Sequence, residues 1–299
     1  MNGSIKVLIF IYNINMQKIF LNIVLFFFLS ITSALEAEQA YCAKYEECRE
    51  ARWTDLKKVL FEDIDLKIGE GIIELTTPER APDAAFVPIS FKTHKLKNQD
   101  DFITKVHLVI DMNPSPYSGT FKFATNIDQI ELATRIRLDA YSKVRVIAET
   151  KKGDYFMAAN FVRGSGGCAA PPLGDVDNMI ANAGKMKIKV KNIEEKDGIA
   201  EAKIMISHPQ FNGLQANPET TEMIQAYYVE NIEVTYNDKI VMALKSDISI
   251  SQDPTFRFNF PIGDGGDLKV TAKDTDGKIF SHSTKLALKN NQLIELVSY

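Results

Sequence analysis

The sequence predicts an all-β protein of two immunoglobulin-like β-sandwich domains in tandem, preceded by an N-terminal signal peptide and a short helix. Three observations predict this. From residue 71 onward, short runs rich in Val, Ile, Thr, Tyr and Phe alternate apolar and polar residues with period two. Asn-Pro, Ser-Gly, Lys-Lys-Gly-Asp and Asp-Thr-Asp-Gly turn signals punctuate them, as antiparallel hairpins require. No helical period of any length falls among the strands of either half, and that absence favours sandwiches over a βαβ arrangement.

The N-terminal element is a targeting segment. Lys18 precedes the apolar run 19–31, which exits through the small residues Thr32, Ser33, Ala34 and Ala37. A short basic region, a hydrophobic region and a small-residue exit make a secretory signal over residues 1–37, with Met16 as an alternative start. The run falls short of the roughly 20 apolar residues of a spanning helix. No stable membrane insertion is therefore expected after cleavage, and an uncleaved anchor is the other reading.

Residues 38–61 read as an amphipathic helix with Tyr45, Cys48, Trp53, Leu56 and Val59/Leu60 along one face. Trp53 is its expected anchor on a domain; a partner-binding helix is the alternative. Strands are expected at 72–75, 87–91, 106–111, 120–123, 134–138, 142–150 and 155–162, completing a first domain over 38–172. Residues 173–183 form a linker or a short helical turn. The second domain, 184–299, is expected to hold strands at 186–191, 199–207, 226–236, 239–244, 248–250, 255–260, 267–274 and 280–288.

The charge balance excludes one class of partner. With 35 basic and 39 acidic side chains the net charge is −4, and no Lys/Arg cluster is interleaved with aromatics, so no nucleic acid is expected to bind. The four histidines, His94, His107, His208 and His282, show no ligand spacing, and no metal is expected. There is no serine nucleophile elbow, Walker loop or dinucleotide fingerprint.

Cysteine is the informative residue. Export into an oxidising compartment favours disulfides, and the count of three leaves one thiol over. Cys42 and Cys48, six positions apart, are the natural pair. Cys168 remains, within GSGGCAAPP at 164–172, with Gly164, Ser165, Gly166 and Gly167 before it and two prolines after. Glycines neither shield a sulfur nor restrict a backbone, so this segment is expected to be a slim arm presenting the thiol outside the protein body. Two other readings stay open, a half-buried cysteine under a loop and a glycine-rich turn without chemistry. A thiol enzyme would need a basic neighbour, and Arg163 is the one close in sequence. The motifs DMNPSP at 111–116 and SHPQFNG at 207–213 are covered by turn chemistry.

Several of these segments carry a resemblance. Val87-Pro88-Ile89, VIDMNPSP at 109–116, Phe121-Lys122-Phe123, Thr134-Arg135-Ile136-Arg137 and, above all, MAANFVRGSGGCAAPP at 157–172 resemble the SoxY sulfur-carrier subunit of bacterial thiosulfate oxidation. SHPQFNGL at 207–214, AYYVENIEVTYNDKIV at 226–241 and DPTFRFNF at 253–260 resemble SoxZ. The arrangement is similar to the fused SoxYZ-like carriers associated with quinoprotein (PQQ-dependent) dehydrogenase systems.

The resemblance implies a periplasmic sulfur carrier that is not itself an enzyme. Cys168 would hold a sulfur intermediate covalently, with no other cofactor. Gly166 and Gly167 would be the slim part of the arm. Partners would be periplasmic redox enzymes, of the Sox type or a quinoprotein dehydrogenase with its cytochrome c. A non-catalytic binding or assembly module for a quinoprotein dehydrogenase is the alternative. The sequence departs from the family in one respect: the glycine–cysteine motif ends the chain of the two-subunit carriers, but here more than a hundred residues follow, and Ala169-Ala170 replace the usual glycines.

Overall fold

The computed structural model describes residues 42 and 44–296, apart from 63, 99, 124–128, 193–197, 290 and 291. The signal segment expected at 1–37 lies outside the described residues. The chain divides into two compact units, 1–48 and 49–299. In the first, Cys42 and Cys48 are joined by a disulfide, their Cα atoms 4.9 Å apart. Helix α1 (Glu46–Leu60) has Glu46 and Glu47 in its first turn and Lys57 and Lys58 in its last, matching the helix dipole at both ends. Trp53 is its buried anchor, packed with Phe61, Val109 and Ile147.

The strands of the first half are β1 (Leu66–Ile68), β2 (Ile73–Thr76), β3 (Val87–Thr93), β4 (Ile103–Ile110), β5 (Tyr117–Phe123), β6 (Glu131–Ile136), β7 (Ser142–Thr150) and β8 (Tyr155–Val162). A short helix, α2 (Val176–Ala181), follows, and the Asp175 side chain caps it by accepting from the Asn178 N–H at 2.8 Å. The second half supplies β9 (Met186–Asn192), β10 (Ile199–Ile206), β11 (Val229–Tyr236), β12 (Lys239–Ser246), β13 (Thr255–Pro261), β14 (Gly265–Asp274), β15 (Ile279–Lys289) and β16 (Gln292–Leu296).

These strands form two sheets, ordered β1-β8-β7-β4-β5-β12-β11-β14-β15-β16 and β2-β3-β6-β13-β10-β9. All pairings between the named strands are antiparallel except β1 with β8. The all-β sandwich class expected from period and turns is what forms. The sequence did not reveal that the two halves share both sheets. Strand β5 pairs with β12, Phe121 opposite Leu244, and β6 pairs with β13, Leu132 opposite Phe258. Each half thereby covers an edge that the other would leave open to non-specific pairing.

The core is correspondingly continuous across the halves. Phe121 stands 5.7 Å from Phe91 and 6.4 Å from Phe256, ring centre to ring centre, all three buried. Each such ring contributes about 1.5–3 kcal/mol by leaving water.

One expected strand is missing and two others form that were not expected. Residues 248–250 form no strand, because their pairing with the end of β6 is limited to Arg137 N–H to Ser249 O and Ser251 N–H to Arg135 O, at 2.8 and 3.2 Å. Strands β1 and β16 were not anticipated; β1 has three residues, too few to display a period, and Ile68 is 83% exposed.

Candidate functional site

Strand β8 delivers the chain to Val162, and one parallel bridge between Arg163 and Arg80 prolongs it. The Ala81 N–H donates to the Arg163 carbonyl at 2.9 Å, so the loop before β3 lies along the start of segment 164–172. The Gly166 N–H donates to the Asp139 carbonyl and the Gly167 N–H to the Leu138 carbonyl, each at 2.8 Å. Gly166 has φ +77°, a conformation that glycine adopts without steric cost. A Cβ on Gly167 would lie 2.0 Å from the Ala84 carbonyl oxygen, so only glycine permits this approach of backbone to backbone.

The segment is therefore docked, which corrects the expectation of a projecting arm. Gly164, Gly167 and Cys168 are buried, while Ser165 and Gly166 reach the surface. The Cys168 side chain is 0% exposed. The glycines serve close packing here, because the main-chain donors of Gly166 and Gly167 find carbonyl acceptors on the chain just after β6.

Those acceptors are held from below. Asn113 Nδ2 donates to the Arg137 carbonyl and to Ser249 Oγ, both at 2.9 Å, and Asn113 Oδ1 accepts from the Asp139 N–H at 2.9 Å. Arg137 itself is 1% exposed. Its Nη1 donates to the Gly167 carbonyl at 3.1 Å and its Nη2 to the Gln210 carbonyl at 3.5 Å, while Nε has no hydrogen-bond partner among the described residues. Alternation along β6 would place Arg137 on the solvent side. It is buried because segment 164–172 and the 208–215 loop close over it.

That loop grips the segment from the second half. Asn212 Nδ2 donates to the Cys168 carbonyl at 2.7 Å, and Gln215 Nε2 donates to the Ala170 carbonyl at 2.9 Å. Gln210 Oε1 accepts from the Val229 N–H at 2.8 Å, which fixes its amide orientation and leaves its buried Nε2 with no partner among the described residues. Behind it, His208 lies 4.5 Å from the Tyr227 ring centre, with Nε2 3.8 Å from Asp274 Oδ2.

The electrostatics follow from burial. Desolvation, with Asp139 adding and Arg137 opposing, pushes the Cys168 thiol up to about 12. Docked, it is a neutral thiol and a poor nucleophile. Burial pulls the Arg137 guanidinium below its usual value, with Cys168 and then Asp83 acting in the opposite direction. The basic group acting on the thiol is thus Arg137, and not Arg163, whose side chain is exposed. Burial lowers His208 to about 4 despite Asp274, so its ring is neutral at pH 7.

The other histidines stand apart: His94 bonds Glu74 at 2.6 Å, and His107 bonds Tyr117 and Glu149 at 2.6 and 3.0 Å. Among the described residues no group of three or more His, Cys, Asp or Glu side chains is placed to hold a metal ion, and no helix is long and apolar enough to cross a membrane. Sequence reasoning missed Asn113, Arg137, Gln210, Asn212 and Gln215 as site residues. All but Arg137 and Gln215 lay in the two motifs assigned to turn chemistry.

Known protein families match the two halves of the chain separately. Residues 57–168 match the family model of sulfur oxidation protein SoxY, and residues 186–285 match that of sulphur oxidation protein SoxZ. The first match ends on Cys168. No curated protein matches the chain. Among solved structures, the sulfur carrier protein SoxY from Chlorobium limicola f thiosulfatophilum is 18% identical, over 44% of this chain and 98% of that one, with a TM-score of 0.31. A beta-glycosidase from Bacteroides vulgatus is 9% identical over 71% of this chain and 24% of that one, with a TM-score of 0.22. With a SoxY domain followed by a SoxZ domain, the chain is a fused SoxYZ-like protein.

Proposed function

We propose that the protein is a periplasmic carrier, not an enzyme, that holds a sulfur-containing intermediate covalently on Cys168 and presents it to partner redox enzymes. The single observation that carries this reading is the coincidence of the SoxY match's last residue with Cys168, the one cysteine outside the disulfide. The export signal read at 1–37 supports a periplasmic site of action. Loading with thiosulfate balances as follows. The Cys168 thiol loses its proton, a bond forms between its sulfur and the outer sulfur of thiosulfate, and two electrons pass to the partner, a Sox-type or quinoprotein-linked cytochrome c system. The cysteine then carries a thiosulfonate of charge −1. No other cofactor is needed.

Because Cys168 is docked and protonated, loading requires the 164–172 segment to leave the 208–215 loop first. The segment is tethered at both ends. When released, residues 163–168 extend at most about 17 Å, at roughly 3.4 Å per residue. The test is the intact mass of the protein from its native periplasm without reductant, beside Cys168→Ser. A reducible addition absent from the variant supports a carrier, and its mass identifies the cargo.

The complete burial of Cys168 favours one second reading, a non-catalytic assembly module for a quinoprotein dehydrogenase. Unmodified Cys168 under every growth condition, with partner activity surviving Cys168→Ser, selects that reading instead.

A further inference from the structure

Strand β9 alternates strictly, turning Ile188 and Val190 toward the core and Lys187, Lys189 and Lys191 to solvent. Register carries that face across the sheet: Lys189 lies opposite Lys203 of β10, and Lys203 lies opposite Arg257 of β13. All five cations are exposed, and they line an open trough of about 610 Å³. The carboxylate in the trough is Glu201, 3.3 Å from Lys191 and 3.8 Å from Arg257. Lys187, Lys189 and Lys203 have no ion-pair partner among the described residues. Like charges directly opposite one another destabilise a sheet, so the fold gains nothing from three cations abreast. Lysine on an edge strand deters stray pairing, which accounts for β9 but not for Lys203 and Arg257, whose strands lie inside the sheet. The face also opposes the sign of the whole chain, which has 39 acidic and 35 basic side chains.

We propose that the β9-β10-β13 face docks an acidic surface of a partner protein, with Lys187, Lys189 and Lys203 meeting its carboxylates. Among the described residues none of the exposed large hydrophobic side chains lies on this face, so it has nothing to insert into a bilayer. A rigid, flat, charged patch instead suits a weak and rapidly exchanging protein contact. Its sign, set against a net charge of −4, orients an approaching acidic protein onto this face and speeds the encounter. The Ser207 N–H donates to the Lys185 carbonyl at 2.8 Å, so the Lys187 end of the face adjoins the loop that grips the Cys168 segment. The inference deepens the carrier reading by naming what a redox partner presents. Its test uses the empty protein, so its failure leaves the periplasmic mass measurement to decide carriage separately.

The probe is a fluorescein-labelled peptide of alternating Asp and Glu, titrated with the whole exported protein. Vesicles of equal parts phosphatidylcholine and phosphatidylglycerol are titrated beside it. One variant combines Lys187→Gln, Lys189→Gln and Lys203→Gln. In sequence Glu194, Glu195 and Asp197 follow Lys191, so the substitutions are placed on cations farther along the strands from them. A second variant combines Lys58→Gln, Lys152→Gln and Lys269→Gln, exposed positions scattered over other elements. The two variants therefore share one net charge and differ only in where the cations are lost.

The peptide should bind the unsubstituted protein at low salt and weaken about tenfold as salt rises from about 0.02 to about 0.2 M, since exposed charges are screened. At low salt the first variant should bind it about tenfold more weakly, as loss of three exposed ion pairs requires. The second variant should bind like the unsubstituted protein, and the vesicles should bind none of the three. The first variant's melting temperature should be unchanged or raised, because the row of like charges has been broken. Absence of peptide binding to the unsubstituted protein would overturn the inference, as would undiminished binding in the first variant. Equal weakening in both variants would also overturn it, because net charge would then suffice. Vesicle binding lost with Lys187, Lys189 and Lys203 would make a lipid surface the occupant instead. Should the first variant aggregate through its β9 edge, Lys203→Gln alone decides by the same titration.

Discussion

Asn212 donates its side-chain amide to the main-chain carbonyl of Cys168 across 2.7 Å, so a loop of the SoxZ domain holds the residue on which the SoxY match ends. In a two-subunit carrier the same relationship would cross a subunit boundary. In one chain it is intramolecular, and release of the cysteine becomes an opening equilibrium of the protein itself. Asn212→Ala removes a contact worth about 1 kcal/mol net. Cys168 should therefore react about fivefold faster with a disulfide reagent at pH 8. An unchanged rate would mean that the loop does not restrain the segment.

Gly167→Ala tests the docked conformation from the other side. Its Cβ would meet the Ala84 carbonyl at 2.0 Å, a backbone atom that cannot swing away. The segment must lift, and overpacking of this kind costs about 1–3 kcal/mol. The expected outcome is faster labelling of Cys168 with a lowered melting temperature. Gly166→Ala should act through its φ of +77° instead, with smaller effect, because nothing lies within 4 Å of the added carbon.

The thiol gives a pH signature. Its docked value is about 12, whereas an unfolded or released cysteine titrates near about 8.5. Between those values the docked state binds the extra proton, so its stabilisation is complete below about pH 8.5 and is lost as pH rises toward about 12. Labelling of Cys168 should keep accelerating past pH 9, where an exposed thiol would level off. Rates from pH 7 to 10.5, compared with the Gly167→Ala variant, read this directly.

His208 works in the opposite sense at acid pH. Its folded value of about 4 lies below the unfolded value of about 6.5, so the unfolded chain takes up the proton first. Its contribution is full above pH 6.5 and falls as pH drops through 4, by at most about 1.4 kcal/mol per pH unit. Between pH 6.5 and 4, His208→Asn should lose melting temperature less steeply than the unsubstituted protein. Parallel slopes would show that the ring is already charged.

A buried ion pair on the first half gives a stability test independent of the carrier segment. Arg145 Nε and Nη2 each stand 2.9 Å from Asp111 carboxylate oxygens, and the guanidinium lies 4.0 Å from the Trp53 ring centre. Both side chains are nearly inaccessible, 3% and 1% exposed. Asp111→Asn leaves the cation with only the half-exposed Glu50 carboxylate, 3.9 Å away, and should cost about 3 kcal/mol in urea unfolding. A loss under 1 kcal/mol would mean that the site relaxes or admits water.

Local chemistry was legible in the sequence. Strands β7 and β8 fall at the residues expected, 142–150 and 155–162, because a period of two closed by Lys-Lys-Gly-Asp needs only neighbours in the chain. The anchoring role of Trp53 and the sandwich class came the same way. The sequence also singled out Cys168, through glycines and an odd cysteine count. It could not determine whether those glycines free the thiol or bury it. Ala84, Asn113, Arg137, Gln210, Asn212 and Gln215 decide that, from positions up to 84 residues before Cys168 and 47 after it. The joining of β5 to β12 and β6 to β13 brings them together. An edge strand's partner is set by which sheet edge lies open in the folded state, and nothing in the local pattern of residues records that choice.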